Sequence, residues 1–186
     1  PAALHFTIVN ASSMLLATHN SRVRVKMERA LSARGVEVRN GARATAVTAG
    51  LLEIDSGRAI AFDELIWVTD AAPQPWIAGC GLAADERGFI EVDESLRSTS
   101  HSFVFATGDG AFMRHAPRPK SGVFAVRQGP YLAANLRRAI RGESLESYRP
   151  QRQFLSLIST GDANAILSRG PFCLEGAWAW KWKDRI

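Results

Sequence analysis

Apolar and polar positions change their period several times along this chain, and each change marks an element. LHFTIV (Leu4 to Val9) reads as a buried strand, and Val23, Met27 and Leu31 then recur every fourth residue between Ser21, a capping residue type, and Gly35. A strand followed by a helix is predicted. Short β-type runs come next: VEV (36 to 38), ATAVTA (44 to 49), LLEI (51 to 54) and AIAF (59 to 62), broken by Gly50 and by the turn Asp55-Ser56-Gly57. They predict a small antiparallel meander. ELIWVTD (64 to 70) is almost uninterrupted in apolar residues, the pattern of a central strand covered on both faces. Pro73-Gln74-Pro75 ends it, and a domain crossover is expected there.

Further on, FIEV (89 to 92) and FVFA (103 to 106) read as short strands. The residues from Val123 to Ile140 carry a helical pattern in Val126, Ala133, Leu136 and Ile140. Pro130 falls inside it and predicts a kink or a restart, since an interior proline removes a backbone donor at roughly 3 kcal/mol. After a linker from Arg141 to Pro150, FLSLIS (154 to 159), the turn Thr160-Gly161-Asp162 and NAILS (164 to 168) predict a hairpin. In GAWAWKWKDRI (176 to 186), Trp178, Trp180 and Trp182 alternate with other residues, which suits a strand as well as an amphipathic helix.

Composition narrows the class. With 186 residues and 46% hydrophobic content, the chain fits one good-sized globular domain or two small ones. Cys80 and Cys173 form no CxxC pair, so spacing gives neither a metal site nor a redox dithiol, and a reducing cytoplasmic setting is expected. No apolar run approaches the roughly 18 residues of a membrane span. A start at Pro1, almost directly before a strand, suggests a fragment of a longer protein. The net charge of +5 is concentrated between Arg114 and Arg152, where nine Lys or Arg residues face only Glu143 and Glu146. Such a segment is either a solvated face or a site for an anionic neighbour.

The chemistry centres on Thr107-Gly108-Asp109-Gly110-Ala111, directly after FVFA. Gly108 lets the backbone turn and approach a ligand where a Cβ would collide. Asp109 offers a carboxylate at the end of a strand, the edge where ligands bind in open α/β sheets, and it accepts hydrogen bonds from hydroxyls. Gly110 and Ala111 leave room for a pyrophosphate.

The stretch TSHSFVFATGDGA (Thr99 to Ala111) resembles the second FAD fingerprint of the pyridine nucleotide-disulfide oxidoreductase superfamily: a Thr, six residues, an apolar strand and Gly-Asp. The resemblance implies that Asp109 contacts the ribityl or ribose region of FAD. ELIWVTDAAPQPWI (64 to 77) resembles the shorter strand-then-ATG motif that leads from the NAD(P)H domain back to the FAD domain, with Asp70 in place of its glycine. GVFAVRQG (Gly122 to Gly129) lies over the AQxAxQQG helix start of the NADH dehydrogenase branch: Ala125, Gln128 and Gly129 match, while Val123 and Arg127 replace glutamines. The N–H groups near Gly122 and Val123 are then expected to face the flavin pyrimidine edge, because a helix amino terminus favours negative charge. RPKSGVFAVRQGPYLAANLRRAIRGE (118 to 143) and the residues from 148 to 186 look like the flavoprotein module joined to selenide, water dikinase.

The resemblance implies an α/β fold: partial Rossmann-like nucleotide-binding domains of a two-dinucleotide-binding flavoprotein plus a small α+β C-terminal interface region. Residues 1–72 would be the remainder of the NAD(P)H domain, 73–145 the C-terminal part of the FAD domain, and 146–186 the start of the interface domain. FAD is the implied cofactor of the site formed by Thr107, Gly108, Asp109, Gly110, Gly122 and Val123, with NAD(P)H in the parent protein and an unassigned electron acceptor. Catalytic residues are not assigned, and no metal site is expected. Neither GxGxxG fingerprint occurs, so FAD binding by this piece alone is expected to be weak or absent. Leu4 to Val9 then resembles the second strand of the NAD(P)H domain, with Asn10 where an acid usually meets the ribose.

Other residues receive plainer roles. Buried structural thiols are expected at Cys80 and Cys173, and structural or surface positions at His101 and His115. Trp178, Trp180 and Trp182 with their lysines suit packing against the hairpin better than a peripheral membrane anchor. A homo-oligomer fits the family and is left open. The alternative from another class is a noncatalytic basic module that holds an acidic protein or nucleic acid through Arg114 to Arg152; no recognised nucleic-acid motif supports it, and nucleic acid is not the expected partner.

Overall fold

The computed structural model describes residues 4–185. In chain order it holds β1 (Thr7–Asn10), α1 (Ser21–Ser32), β2 (Glu37–Asn40), β3 (Ala44–Thr48), β4 (Leu51–Ile54), β5 (Ala59–Ala61), β6 (Ile90–Val92) and β7 (Ala111–Met113). There follow α2 (Gly122–Arg141), β8 (Ser156–Gly161), β9 (Asn164–Arg169), β10 (Phe172–Gly176) and α3 (Ala177–Lys183). Two compact units result: the residues up to Ile66 join those from Gln153 onward, and Trp67–Arg152 forms the other. No helix among the described residues is long and apolar enough to cross a membrane.

In the first unit β1 and β2 pair in parallel, from Thr7 opposite Glu37 to Asn10 opposite Asn40, and α1 supplies the crossover that parallel strands require. The cap of α1 is Asn20, one residue before the expected Ser21: its side chain accepts from the Val23 N–H, and Val23 is fully buried. VEV therefore belongs to a parallel pair, whereas β3, β4 and β5 alone form the antiparallel meander. Leu52 and Ile54 alternate inward along β4.

The C-terminal residues of this unit build a three-stranded antiparallel sheet in the order β10, β9, β8. Its first hairpin turns at Asp162 and Ala163, with φ of 50° and 53°, the double positive φ that fits the twist of two strands. β10 adds a strand the sequence pattern did not announce. The tryptophan segment is helical: in α3, Ala179 is fully buried beside Ala165 and Leu167, and Trp180 packs on the same cluster. Trp178 and Trp182 stay exposed.

In the second unit β6 and β7 pair in parallel, Ile90 opposite Ala111 and Val92 opposite Met113. These four residues share a core with Ile77, Leu96 and Tyr148, against which Leu132 of α2 packs. Fully buried Asn135 binds the chain that follows the helix: Nδ2 donates to the Ser95 and Glu146 carbonyls at 2.8 and 2.9 Å, and Oδ1 accepts from the Glu146 N–H at 2.7 Å. The helix runs through Pro130 without restarting and ends at Gly142, with φ of 68°. The missing N–H leaves the Val126 carbonyl without its usual donor, and Val126 is exposed, so water can replace it.

Two expected strands do not form. Residues 64–70 have no ladder partner among the described residues, and Ile66 and Val68 are 84% and 85% exposed. An apolar run specifies burial, but a strand also needs a neighbour to take its N–H and C=O groups. FVFA makes only an isolated bridge between Phe105 and Arg97, and Phe103 is exposed. The parallel strand lies beyond the glycines instead, in β7.

Candidate active site

The turn after FVFA is built around one glycine. Thr107 is extended, Gly108–Gly110 makes a single tight 3-10 turn, and Ala111 enters β7. Gly108 has φ of +63°, a left-handed conformation that disfavours side chains. A Cβ there would stand 3.2 Å from the Ala125 Cβ, so the turn lies directly on α2. The Gly108 N–H donates to Gln128 Oε1 at 2.6 Å, and Gln128 Nε2 reaches Met113 Sδ at 3.5 Å. Gln128, only 5% exposed, thus fixes the turn to the helix from twenty residues away.

Beside this pinned glycine, Asp109 and Gly110 are exposed, and the Asp109 carboxylate has no hydrogen-bond partner among the described residues. The amino terminus of α2 faces a similar lack of partners. Ser121 caps it with backbone only, no acidic residue stands in its first turn, and the Gly122 and Val123 N–H groups have no acceptor among the described residues. Four donors at a helix start are normally orphaned, and they favour anions or developing negative charge.

Lys120 completes the site and was not singled out by the sequence, where it is one cation among nine. Its ammonium donates to the Ala111 carbonyl at 2.6 Å and lies 3.8 Å from the centre of the Phe89 ring. Burial pushes its pKa down; the nearby charges of Asp85 and Asp109 act in the opposite sense, and Arg87 adds to the lowering. Lys120, Asp109, Gly108, Ser121 and Gln128 line one small cavity of about 30 Å³, room for a single water. A larger ligand therefore has to lie along the exposed Asp109–Gly110 edge.

Of the six residues expected at the site, Thr107 to Gly110 are contiguous in this turn, and Gly108 and Asp109 share the cavity with Ser121, the residue directly before Gly122 and Val123. The remaining candidates lie apart from it. Asp70 is exposed in the unpaired segment. Cys80 is exposed rather than buried, its thiol directed to the Ile77 carbonyl, and Cys173 is half-buried with its pKa raised chiefly by burial. His101 contacts Ser100 and Phe103, and His115 is exposed. The basic segment is partly neutralised: Arg114 pairs with buried Glu91, and Arg138 with Glu143 and Glu146. No cluster of residues that could hold a metal ion occurs among the described residues.

The family described as pyridine nucleotide-disulphide oxidoreductase matches residues 2–129. A Dictyostelium discoideum protein named "Probable NADH dehydrogenase" is 27% identical over 176 residues, 91% of this chain and 38% of that protein. The sulfide:quinone oxidoreductase structure from the hyperthermophilic bacterium Aquifex aeolicus superposes with a TM-score of 0.74 at 14% identity, over 97% of this chain and 47% of that one. An FAD-dependent pyridine nucleotide-disulphide oxidoreductase from Desulfovibrio vulgaris gives 0.67 at 20% identity, over 88% of this chain and 42% of that one. At such identities the structures establish the fold, which is the expected α/β arrangement of partial Rossmann-type domains. The chain spans about two fifths of the length of the curated relatives it matches.

Proposed function

The chain belongs to the pyridine nucleotide-disulphide oxidoreductase family, and from that premise we propose that it forms part of an FAD-dependent oxidoreductase of the NADH-dehydrogenase-like branch. NAD(P)H would be the electron donor and a further molecule the acceptor. The observation that carries this reading is the turn Thr107 to Ala111, in which a left-handed glycine, held by Gln128, presents an unpaired Asp109 carboxylate beside a helix amino terminus.

These residues fit FAD. Asp109 accepts hydrogen bonds from hydroxyls of the ribityl or ribose region, and Gly108 and Gly110 flank it without a side chain on the exposed edge, after Thr107 has led into the turn. Gly122 and Val123 supply backbone N–H donors for the pyrimidine edge of the flavin, and the helix dipole adds to their effect. Lys120 holds positive charge in the same pocket. Bound FAD supplies the chemistry of accepting a hydride and passing its two electrons on. Asp109, Gly122 and Val123 hold and orient the cofactor; no proton transfer is assigned to them.

The finer reading places the chain near the flavoprotein module joined to selenide, water dikinase, on the strength of residues 118–143 and 148–186. In the same reading, residues 1–72 derive from the NAD(P)H domain, 73–145 from the FAD domain and 146–186 from the interface domain. Quinone reduction is not part of the proposal, because Val123 and Arg127 replace the glutamines of the quinone-reducing pattern. The test is anaerobic titration of the flavin-loaded full-length protein with NADH and with NADPH. Stoichiometric bleaching of the flavin band is expected. A flavin that dithionite bleaches and neither nucleotide does would overturn the reading.

A further inference from the structure

The end of β1 bears on which nicotinamide nucleotide the protein uses, an inference that rests on the function just proposed. In dinucleotide-binding βαβ folds, the strand that follows the first helix ends on an Asp or Glu that binds the ribose 2′-hydroxyl of NAD, whereas a cation nearby receives the 2′-phosphate of NADP. By its resemblance to the second strand of an NAD(P)H domain, β1 stands in that place, and it ends on Asn10. Its carboxamide is turned back into the protein: Nδ2 lies 3.1 Å from the Ser12 and Met14 carbonyls and 2.8 Å from Asn40 Oδ1, while Oδ1 accepts from the Ser12 N–H at 3.3 Å. Both ends of the amide are used within the loop and across to β2. Gly41 and Ala42 extend the staple, donating their N–H groups to the carbonyls of Ser12 and Asn10 at 2.8 and 3.0 Å.

The residues from 11 to 18 contain neither a carboxylate nor a Lys or Arg. Arg39 on the neighbouring strand is paired with Glu37. Residues 11–18 thus offer no anion to prefer a free 2′-hydroxyl and no cation to prefer a 2′-phosphate.

We propose that Asn10 acts as a loop staple in place of a ribose-binding acid, and that the protein consequently takes NADH and NADPH with nearly equal affinity. An aspartate at this position cannot donate to the Ser12 and Met14 carbonyls or to Asn40 Oδ1. Repulsion from those oxygens would turn the carboxylate outward, toward the carboxyl edge of the strand, where it would restore selection against a 2′-phosphate.

The experiment is calorimetric titration of the flavin-loaded full-length protein with ADP-ribose and with 2′-phospho-ADP-ribose, repeated on Asn10→Asp. For the unaltered protein the two dissociation constants should agree within about threefold. In Asn10→Asp the ratio should move by roughly tenfold or more toward ADP-ribose, the size of one charge-assisted hydrogen bond gained or one charge repulsion added. A preference of roughly thirtyfold or more in the unaltered protein, for either ligand, overturns the inference and leaves the proposed function intact; this arm does not depend on the variant folding. Absence of binding by both ligands, together with a flavin that neither NADH nor NADPH bleaches, overturns the proposed function and this inference with it.

Discussion

Gln128 offers a direct way to perturb the site without touching the residues proposed to meet FAD. Gln128→Met keeps the length and most of the volume of a side chain that is 5% exposed, but removes the oxygen that accepts from the Gly108 N–H at 2.6 Å. The Met113 contact, to a weak sulfur acceptor at 3.5 Å, adds little. Losing one partner of such a bond costs about 1–3 kcal/mol when the other is left unsatisfied. Gly108 is only half-buried, so water offsets part of the loss and about 1–2 kcal/mol is expected. That loss acts on the turn rather than the whole chain, and it corresponds to a factor of about 5–30 in local opening. Native-state hydrogen exchange at the Gly108 amide should accelerate by that factor. FAD affinity should fall about tenfold, since the turn would have to be ordered on binding. If the Gly108 amide in Gln128→Met exchanged within about twofold of the unaltered protein, the pinning argument would be refuted.

Further outcomes follow from other parts of the molecule. Asn135→Leu removes the partner of the Glu146 N–H and of two carbonyls; Asn135 is fully buried but Glu146 is exposed and can turn to water, so the second unit should be destabilised by about 1–3 kcal/mol, read from the urea midpoint of its transition. Burial lowers the pKa of His19, whose Nδ1 lies 2.9 Å from the buried Ser168 hydroxyl. The unfolded chain therefore takes up this proton first, and stability should be lost as pH falls below about 6.5 toward the folded-state value; His19→Gln should flatten that dependence in thermal melts. Alkylation should label exposed Cys80 well before half-buried Cys173, whose pKa is raised chiefly by burial, and mass spectrometry of partially labelled protein would show a reversed order if that reasoning fails.

Much of the fold was legible because local patterns and tertiary needs agreed. The fourfold spacing of Val23, Met27 and Leu31 gave α1, and β4 alternates Leu52 and Ile54 into its core as its pattern required. The pattern misled where pairing decided the outcome. Residues 64–70 have the composition of a central strand and, among the described residues, no partner to make them one, while β7 carries only three residues, too few to register a period. In α3 three alternate tryptophans fit a strand as well as a helix; the helix lets Ala179 and Trp180 cover the sheet.

The site was legible in part for a similar reason. Gly108 and Asp109 stand in a contiguous motif, and their chemistry follows from residue type and position. Gln128 was visible only as a matching letter in a helix pattern, because its hydrogen bond to Gly108 spans twenty residues. Lys120 was hidden by the run of basic residues around it. Its contacts with the Ala111 carbonyl and the Phe89 ring depend on a fold that brings residues 89, 111 and 120 together.

The most direct test of the account is the flavin content of the purified full-length protein and of its Asp109→Ala variant, measured by visible absorbance and by fluorescence titration with added FAD. A yellow parent protein is expected, with a variant that folds alike but binds FAD roughly tenfold or more weakly, the loss of one to two charge-assisted hydrogen bonds. A parent that is colourless and takes up no added FAD, or a variant with unchanged FAD affinity, would contradict it.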